Sequence, residues 1–217
     1  SRQMMHRAKK KNPDGIIVAV GCYVQAAKEQ LEEDTLIDLV IGNNMKSQVV
    51  QIVEQYIQDN RHTEDRDAYV ADIAHSHEYE TMHIETVSEH TRAYIKIQDG
   101  CNQFCSYCII PYARGRVRSR AIEDVVKEVE GLAKSGYREV VLTGIHLSSY
   151  GLTENYNSGF EHNHLLELIE AVAKVQGIDR IRLGSLEPQI ITEAFASRLA
   201  KVDKICPHFH LSLQSGC

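Results

Sequence analysis

The sequence predicts an α/β protein, the C-terminal part of a doubly wound sheet followed by the first half of a partial βα barrel. Three observations carry this. Ile16–Val20 is an unbroken apolar run and Leu36–Ile41 a second one interrupted by Asp38, the composition of strands covered on both faces, and helical patterns alternate with them. From residue 91 onward strand and helix patterns repeat in βα order, with the long loops falling after the strands. Between the two lies a polar stretch rich in Asp, Glu and His, so the chain divides into 1–60, a linker at 61–90, and 91–217.

Each element follows from local pattern. Met4–Lys11 carries the basic load of a last helical turn, and Asn12-Pro13-Asp14-Gly15 stops it. After the strand Ile16–Val20 comes Gly21-Cys22, at the carboxyl end where doubly wound sheets place their ligands. Gln25–Glu33 reads as a helix, Leu36–Ile41 as the next strand, and Ser47–Gln58 as an amphipathic helix with Val49, Val50, Ile52, Val53, Tyr56 and Ile57 for its apolar face. In the second part Tyr94, Ile95 and Ile97 have strand character, and Asp99-Gly100 signals a turn. Ala121–Ser135 is a helix with Val125, Val129, Leu132 and Ala133 on its core face, ended by Gly136. The strand Val140–Thr143, the loop Gly144–Asn163, the helix His164–Val175, the strand Arg180–Leu183, the helix Ile190–Ala200 and the strand His208–Leu213 follow. Four strands leave a barrel open, and the chain starts at Ser1 and stops after a strand, so it reads as an internal piece of a longer protein, inactive by itself.

Composition narrows the function classes. A formal net charge of −6 excludes a global basic field, so any nucleic-acid contact must be local. No apolar run approaches the roughly 20 residues of a membrane span and no secretory pattern opens the chain, which makes a cytoplasmic address and no membrane partner the expectation. Of the six cysteines three are clustered and Cys22, Cys206 and Cys217 are scattered, which suits ligation in a reducing compartment better than a disulfide framework.

The cluster is Cys101, Cys105 and Cys108, spaced C-x3-C-x2-C on a loop that Pro111 keeps from simple helical continuation. Three thiolates are one short of a closed zinc site and one short of ligating every iron of a 4Fe-4S cluster. One reading is therefore a zinc-binding structural module completed by one of the eleven histidines. The other is a cluster whose open iron takes S-adenosylmethionine through its amino and carboxylate groups. The second is favoured because a strand precedes the loop and a helix follows it, whereas zinc knuckles sit between hairpins. The pairs His75/His77, His162/His164 and His208/His210 lack an adjacent strong ligand and read as solvated or packed histidines.

The cysteine spacing, with Tyr107 directly before the third cysteine, resembles the signature of the radical S-adenosylmethionine superfamily. The order IIVAVGCYVQ, YIKIQDGCNQFCSYCIIPYARGRVRSR, VVLTGIHLSSYG, IRLGSLEP and HFHLSLQSG is similar to its methylthiotransferase branch, over nearly the whole chain. Within that branch it is most similar to the enzymes acting on N6-threonylcarbamoyladenosine in tRNA, and less to those acting on isopentenyladenosine or a ribosomal-protein aspartate. The resemblance implies a flavodoxin-like N-terminal domain with a second, auxiliary 4Fe-4S cluster, a partial radical barrel and a C-terminal RNA-binding domain. It further implies a tRNA substrate, an electron-donor protein, and two uses of S-adenosylmethionine. One molecule methylates sulfur held at the auxiliary cluster. The other yields the radical that takes the C2 hydrogen of the adenine next to the anticodon, where acid–base chemistry has no acidic proton to work on.

Carried onto this chain, the resemblance makes Cys101, Cys105 and Cys108 ligands of the radical cluster and Cys22 the last of three auxiliary ligands, the other two lying upstream of Ser1. Read alone, Cys22 is as well explained as a small packed residue at a strand end. Tyr107 is implied to lie near the cofactor adenine. His146, Ser185, Glu187 and Gln214 follow or end strands, and are either contacts to the cofactor's ribose and methionine moieties or polar residues satisfying loop backbone. Arg114, Arg116, Arg118 and Arg120 concentrate positive charge beyond the cysteines, for tRNA phosphate or the cofactor carboxylate, or as a solvated basic loop.

Overall fold

The computed structural model describes residues 2–59, 69–76, 79–80, 91–152 and 164–216. The elements are α1 (Arg2–Lys11), β1 (Val18–Val20), α2 (Cys22–Ala26), α3 (Lys28–Glu32), β2 (Leu39–Ile41), α4 (Val49–Gln58), β3 (Ala93–Asp99), α5 (Ile110–Arg114), β4 (Arg118–Ser119), α6 (Ile122–Lys134), β5 (Glu139–Gly144), α7 (His164–Ala173), β6 (Arg180–Leu183) and α8 (Glu193–Leu199). This is a mixed α/β chain, as expected. It forms two compact units, one of Ser1–Met82 with Asn102–Arg116, the other of His83–Cys101 with Val117–Cys217.

In the first unit β1 and β2 pair in parallel, with Val18 opposite Leu39 and Val20 opposite Ile41. Side chains alternate across this pair. Ala19 and Val40 pack with Val24 and Leu31 on one face, while Leu39 and Ile41 pack with Ile52 and Tyr56 of α4 on the other. The sheet is thus covered on both faces, the burial its continuous apolar runs require. Asp38 shortens the second run: its Oδ2 accepts from the Ile17 amide at 2.7 Å and from Lys9 Nζ at 3.0 Å, so pairing starts at Leu39. The helix expected over Gln25–Glu33 is two short helices, because Ala27 leaves helical geometry at φ −133°. Ser47 lies in a 3-10 turn, Asn43–Gln48, that leads into α4, on which Val50 and Ile57 stay exposed. α5, from the segment that follows Cys101, packs on α2, and Asn43 Nδ2 donates to the Ala113 carbonyl.

The second unit is built on a four-stranded sheet of order β4-β3-β5-β6. β3, β5 and β6 run parallel, and β4 is antiparallel to β3. Ile95 and Ile97 of β3 and Val140 and Leu142 of β5 form its core with Val125, Val129 and Leu132 of α6 and Leu165, Leu168 and Ile169 of α7. Each such side chain contributes about 2 kcal/mol on leaving water. Acidic Glu123 and Asp124 at the start of α6 and Lys134 at its end complement its dipole. Thr192 caps α8 by accepting from the Phe195 amide at 3.1 Å, so that helix begins later than expected, after a 3-10 turn at Pro188–Ile190. The expected strand His208–Leu213 is not an extended ladder: the chain there makes isolated bridges, Ile181 to Ile205 and Leu186 to Leu211. Among the described residues no helix is long and apolar enough to cross a membrane.

Glu139, buried at the start of β5, accepts from Arg180 Nε at 2.8 Å and Arg182 Nε at 3.0 Å, with Arg92 at 3.5 Å. Burial pushes its carboxyl up, but the guanidinium hydrogen bonds outweigh that and hold it below the usual value. The stabilisation is therefore complete above the unfolded pKa and lost as pH falls through the lower folded one. Glu139→Ala is expected to cost about 2 kcal/mol at neutral pH in urea denaturation, and the gap to the parent protein to narrow as pH falls below the unfolded glutamate pKa of about 4.3.

Candidate cofactor and cluster site

In the second unit the carboxyl ends of three parallel strands place four of the residues singled out from the sequence. Cys101 follows β3, His146 follows β5, and Ser185 and Glu187 follow β6. The structure brings His146 and Glu187 together, Nε2 to Oε1 at 3.7 Å, while His146 Nδ1 lies 2.6 Å from Ser149 Oγ. Burial keeps the imidazole pKa below its ordinary value, against the opposing pull of Glu187. His146 Nε2 is a buried atom without a hydrogen-bond partner, and it carries the ring proton in the tautomer in which Ser149 donates to Nδ1. An orphaned buried nitrogen beside a carboxylate suits a polar ligand such as the cofactor's ribose hydroxyls. The Glu187 amide donates to Ser148 Oγ at 3.0 Å, and Ser185 Oγ lies 3.1 Å from His210 Nδ1. Gln214 is exposed.

Two of the four arginines change role. Arg118 and Arg120, on and just after β4, are only 4% and 5% exposed. Arg118 approaches Asp99 at 3.9 Å, Arg120 pairs with Glu128 at 2.6 Å, and the Tyr150 hydroxyl, its pKa pushed up to about 12 by burial, donates to the Arg120 carbonyl at 2.7 Å. Burial and these ion pairs argue against tRNA phosphate as the partner of these two side chains. Arg120→Ala is expected to lower stability by about 3 kcal/mol in urea denaturation, by stranding Glu128, and to leave the salt dependence of RNA binding unchanged. A reduced salt slope in that variant would restore the phosphate role.

Cys105 and Cys108 lie in the first unit, Cys105 exposed and Cys108 half-buried, and the Cys108 amide donates to the Cys105 carbonyl at 2.9 Å. Around them Phe104 meets Tyr112 edge-on at 5.7 Å and carries the Arg116 guanidinium 4.5 Å above its ring. Tyr107 is 76% exposed, and Arg114 and Arg116 are partly exposed. Cys22 opens α2, directly after Gly21, whose φ of 109° favours glycine. It is half-buried, whereas Val24 two residues on is the fully packed side chain of that helix. Among the described residues no three His, Cys, Asp or Glu side chains are gathered to hold a metal ion. The donor set nonetheless suits an iron–sulfur cluster by its chemistry: three thiol-bearing residues, Cys101, Cys105 and Cys108, fall within eight residues of chain.

Sequence reasoning passed over Gln98, Ser148, Ser149 and His210. Gln98 reads as one polar residue of a strand, and the two serines as loop polarity. His210 carried a signal, its place in an H-x-H pair near the chain's end, that points to Ser185 only once the fold is known. His75 sits 2.7 Å from Asp72 and His164 3.3 Å from Glu167, while His77 and His162 lie outside the described residues.

A strand that ends in a cysteine loop, followed by βα units with polar residues beyond their carboxyl ends, is the arrangement of an enzyme that activates a bound cofactor. Residues 95–217 match the family model described as the radical SAM superfamily, and the chain belongs to that superfamily. The family implies S-adenosylmethionine and a 4Fe-4S cluster, which sets aside the zinc module. Threonylcarbamoyladenosine tRNA methylthiotransferase MtaB of Aquifex aeolicus is 40% identical over 216 residues, 100% of this chain and 50% of that protein. MtaB of Bacillus subtilis is 38% identical, again over 100% of the chain and 46% of the relative. The tRNA-2-methylthio-N(6)-dimethylallyladenosine synthase of Alkaliphilus oremlandii is 34% identical over 96% of the chain and 42% of its own length. The chain thus spans about half the length of the curated relatives it matches. Among solved structures, the radical S-adenosylmethionine methyltransferase TsrM of Kitasatospora setae, with tryptophan substrate and a SAM analogue bound, is similar over 97% of this chain and 43% of its own, at TM-score 0.62 and 17% identity. That likeness concerns the fold.

Proposed function

We propose that this chain belongs to a tRNA methylthiotransferase that places a methylthio group at C2 of N6-threonylcarbamoyladenosine next to the anticodon. The observation that carries the reading is the 40% identity to an MtaB enzyme along the whole chain, against 34% to the dimethylallyladenosine synthase. In this reading 1–60 is the C-terminal part of a flavodoxin-like domain and 91–217 the first half of a partial radical barrel. Cys101, Cys105 and Cys108 hold one 4Fe-4S cluster and Cys22 contributes to a second. S-adenosylmethionine bound at the first cluster supplies a carbon radical able to remove an unactivated hydrogen.

The chain's own residues bind and orient. His146 Nε2–H and the Glu187 carboxylate offer one donor and one acceptor to ribose hydroxyls, with Ser185 at the end of β6, Gln214 from the chain's last segment and Tyr107 beside the adenine. Arg114 and Arg116, both partly exposed and Arg116 over the Phe104 ring, take the role of meeting tRNA phosphate. An electron-donor protein reduces the cluster, and the setting is cytoplasmic. The test is mass spectrometry of nucleosides after incubating the full-length, anaerobically reconstituted protein with tRNA bearing threonylcarbamoyladenosine or isopentenyladenosine. Methylthiolation of the first tRNA is expected. Product only from the second would move the protein to the sister specificity, and product from neither would overturn the proposal.

A further inference from the structure

We infer that Gln98 is a positioning residue that locks the end of β3, three residues before Cys101, to the loop that carries His146. Gln98 is fully buried and points all of its amide chemistry at backbone. Its Nε2 donates to the Asp99 carbonyl at 2.9 Å and to the Gly100 carbonyl at 2.7 Å, while its Oε1 accepts from the His146 amide at 2.8 Å. One side chain thus holds two carbonyls of the turn that leads into the cysteine loop and one amide of the loop beyond β5. These groups lie where the ladder between the strands gives out: the β3–β5 register shifts between Lys96 and Gln98, and Gln98 faces Gly144. A polar side chain there replaces the backbone partners the ladder no longer supplies.

Gly144 makes the arrangement possible. A Cβ at that position would lie 2.9 Å from Gln98 Oε1 and 3.0 Å from both its Cβ and its carbonyl oxygen. The turn beyond is fixed by further bonds: Asp99 Oδ1 accepts from the Gly100 amide at 2.9 Å, and Gly100 takes φ 74°. Consequently Gln98 cannot move without shifting both the path to Cys101 and the backbone of His146. The inference rests on the reading that Cys101 and His146 serve the cofactor, but the bond network itself is measurable without one.

Three variants of the full-length protein separate the two halves of the amide. Gln98→Met keeps length and removes every polar contact. Gln98→Glu keeps an oxygen for the His146 amide and loses the donors to Asp99 and Gly100. Gly144→Ala leaves Gln98 intact and displaces it. Hydrogen exchange of the cofactor-free protein, read on peptides spanning Gly144 to Ser149, is expected to show the His146 amide opening about tenfold faster in Gln98→Met and in Gly144→Ala, with peptides of α6 and α7 near the parent rate. After reconstitution all three are expected to bind S-adenosylmethionine about tenfold more weakly than the parent, with the spectral change on cofactor addition diminished. A general loss of packing would instead raise exchange in α6 and α7 as well, and that result overturns the inference. So does parent-like cofactor affinity in Gln98→Met and Gly144→Ala. A parent protein that itself binds no S-adenosylmethionine overturns the functional reading beneath it, and is told apart by the exchange rates alone.

Discussion

Cys105→Ala is expected to abolish assembly of the cluster in the C-x3-C-x2-C loop. A 4Fe-4S cluster held by three thiolates already has one iron without a protein ligand, and removing one of the three leaves two irons held only by sulfide and solvent. Cys105 is exposed and its backbone carbonyl receives the Cys108 amide, an interaction that alanine preserves. The loss should therefore be confined to ligation, with thermal unfolding of the protein as purified before reconstitution close to the parent. Iron and sulfide analysis after anaerobic reconstitution, with the visible spectrum, reads the outcome. A full complement of iron in the variant would remove the cysteine loop from the site.

How much of this was legible in the sequence depended on whether the signal was periodic or pairwise. Val125, Val129 and Leu132 announced the core face of α6 by spacing alone, and the structure buries all three. The runs at Ile16 and Leu36 gave the parallel pair, but not that Asp38 would turn its carboxylate on Ile17 and defer pairing to Leu39. That is a tertiary contact across 21 residues, and no local pattern contains it. Nothing in the sequence around Ala27 signals the break between α2 and α3; an alanine is the best of helix formers.

The arginines show the opposite failure. Arg114, Arg116, Arg118 and Arg120 recur at every second residue, and charge density alone reads as surface. Alternation is also the period of a strand with one buried face. The structure makes Arg118 part of β4, and buries it and Arg120 against Asp99 and Glu128. Their acidic partners are the missing information: 19 residues separate Arg118 from Asp99 backwards along the chain, and Arg120 from Glu128 by eight forwards. Gln98 was hidden for the same reason, since its importance lies in three backbone partners that a strand assignment does not predict.

Cys22→Ala should divide the reaction in two. Read locally, Cys22 is a small residue at the end of β1, and its loss would cost about 1 kcal/mol of stability and no activity. The structure weakens that reading: Cys22 is half-buried, and the packing of α2 is carried by Val24, which is 1% exposed. It opens a helix that packs on α5, the helix just beyond Cys105 and Cys108, so within the first unit Cys22 stands on the element next to the segment carrying those two thiols. In the proposed reaction Cys22 holds the second cluster, at which the transferred sulfur is bound, and takes no part in forming the radical. In the full-length enzyme the variant is then expected to keep the radical cluster and to cleave S-adenosylmethionine to deoxyadenosine at a rate within about twofold of the parent, while methylthiolated nucleoside falls by about a hundredfold. Both products are measured in one reaction mixture, so a folding defect, which lowers them together, is distinguishable from loss of the second cluster, which lowers only one. Parent yields of both would leave Cys22 as packing and take the sulfur-transfer half of the proposed reaction away from this part of the chain.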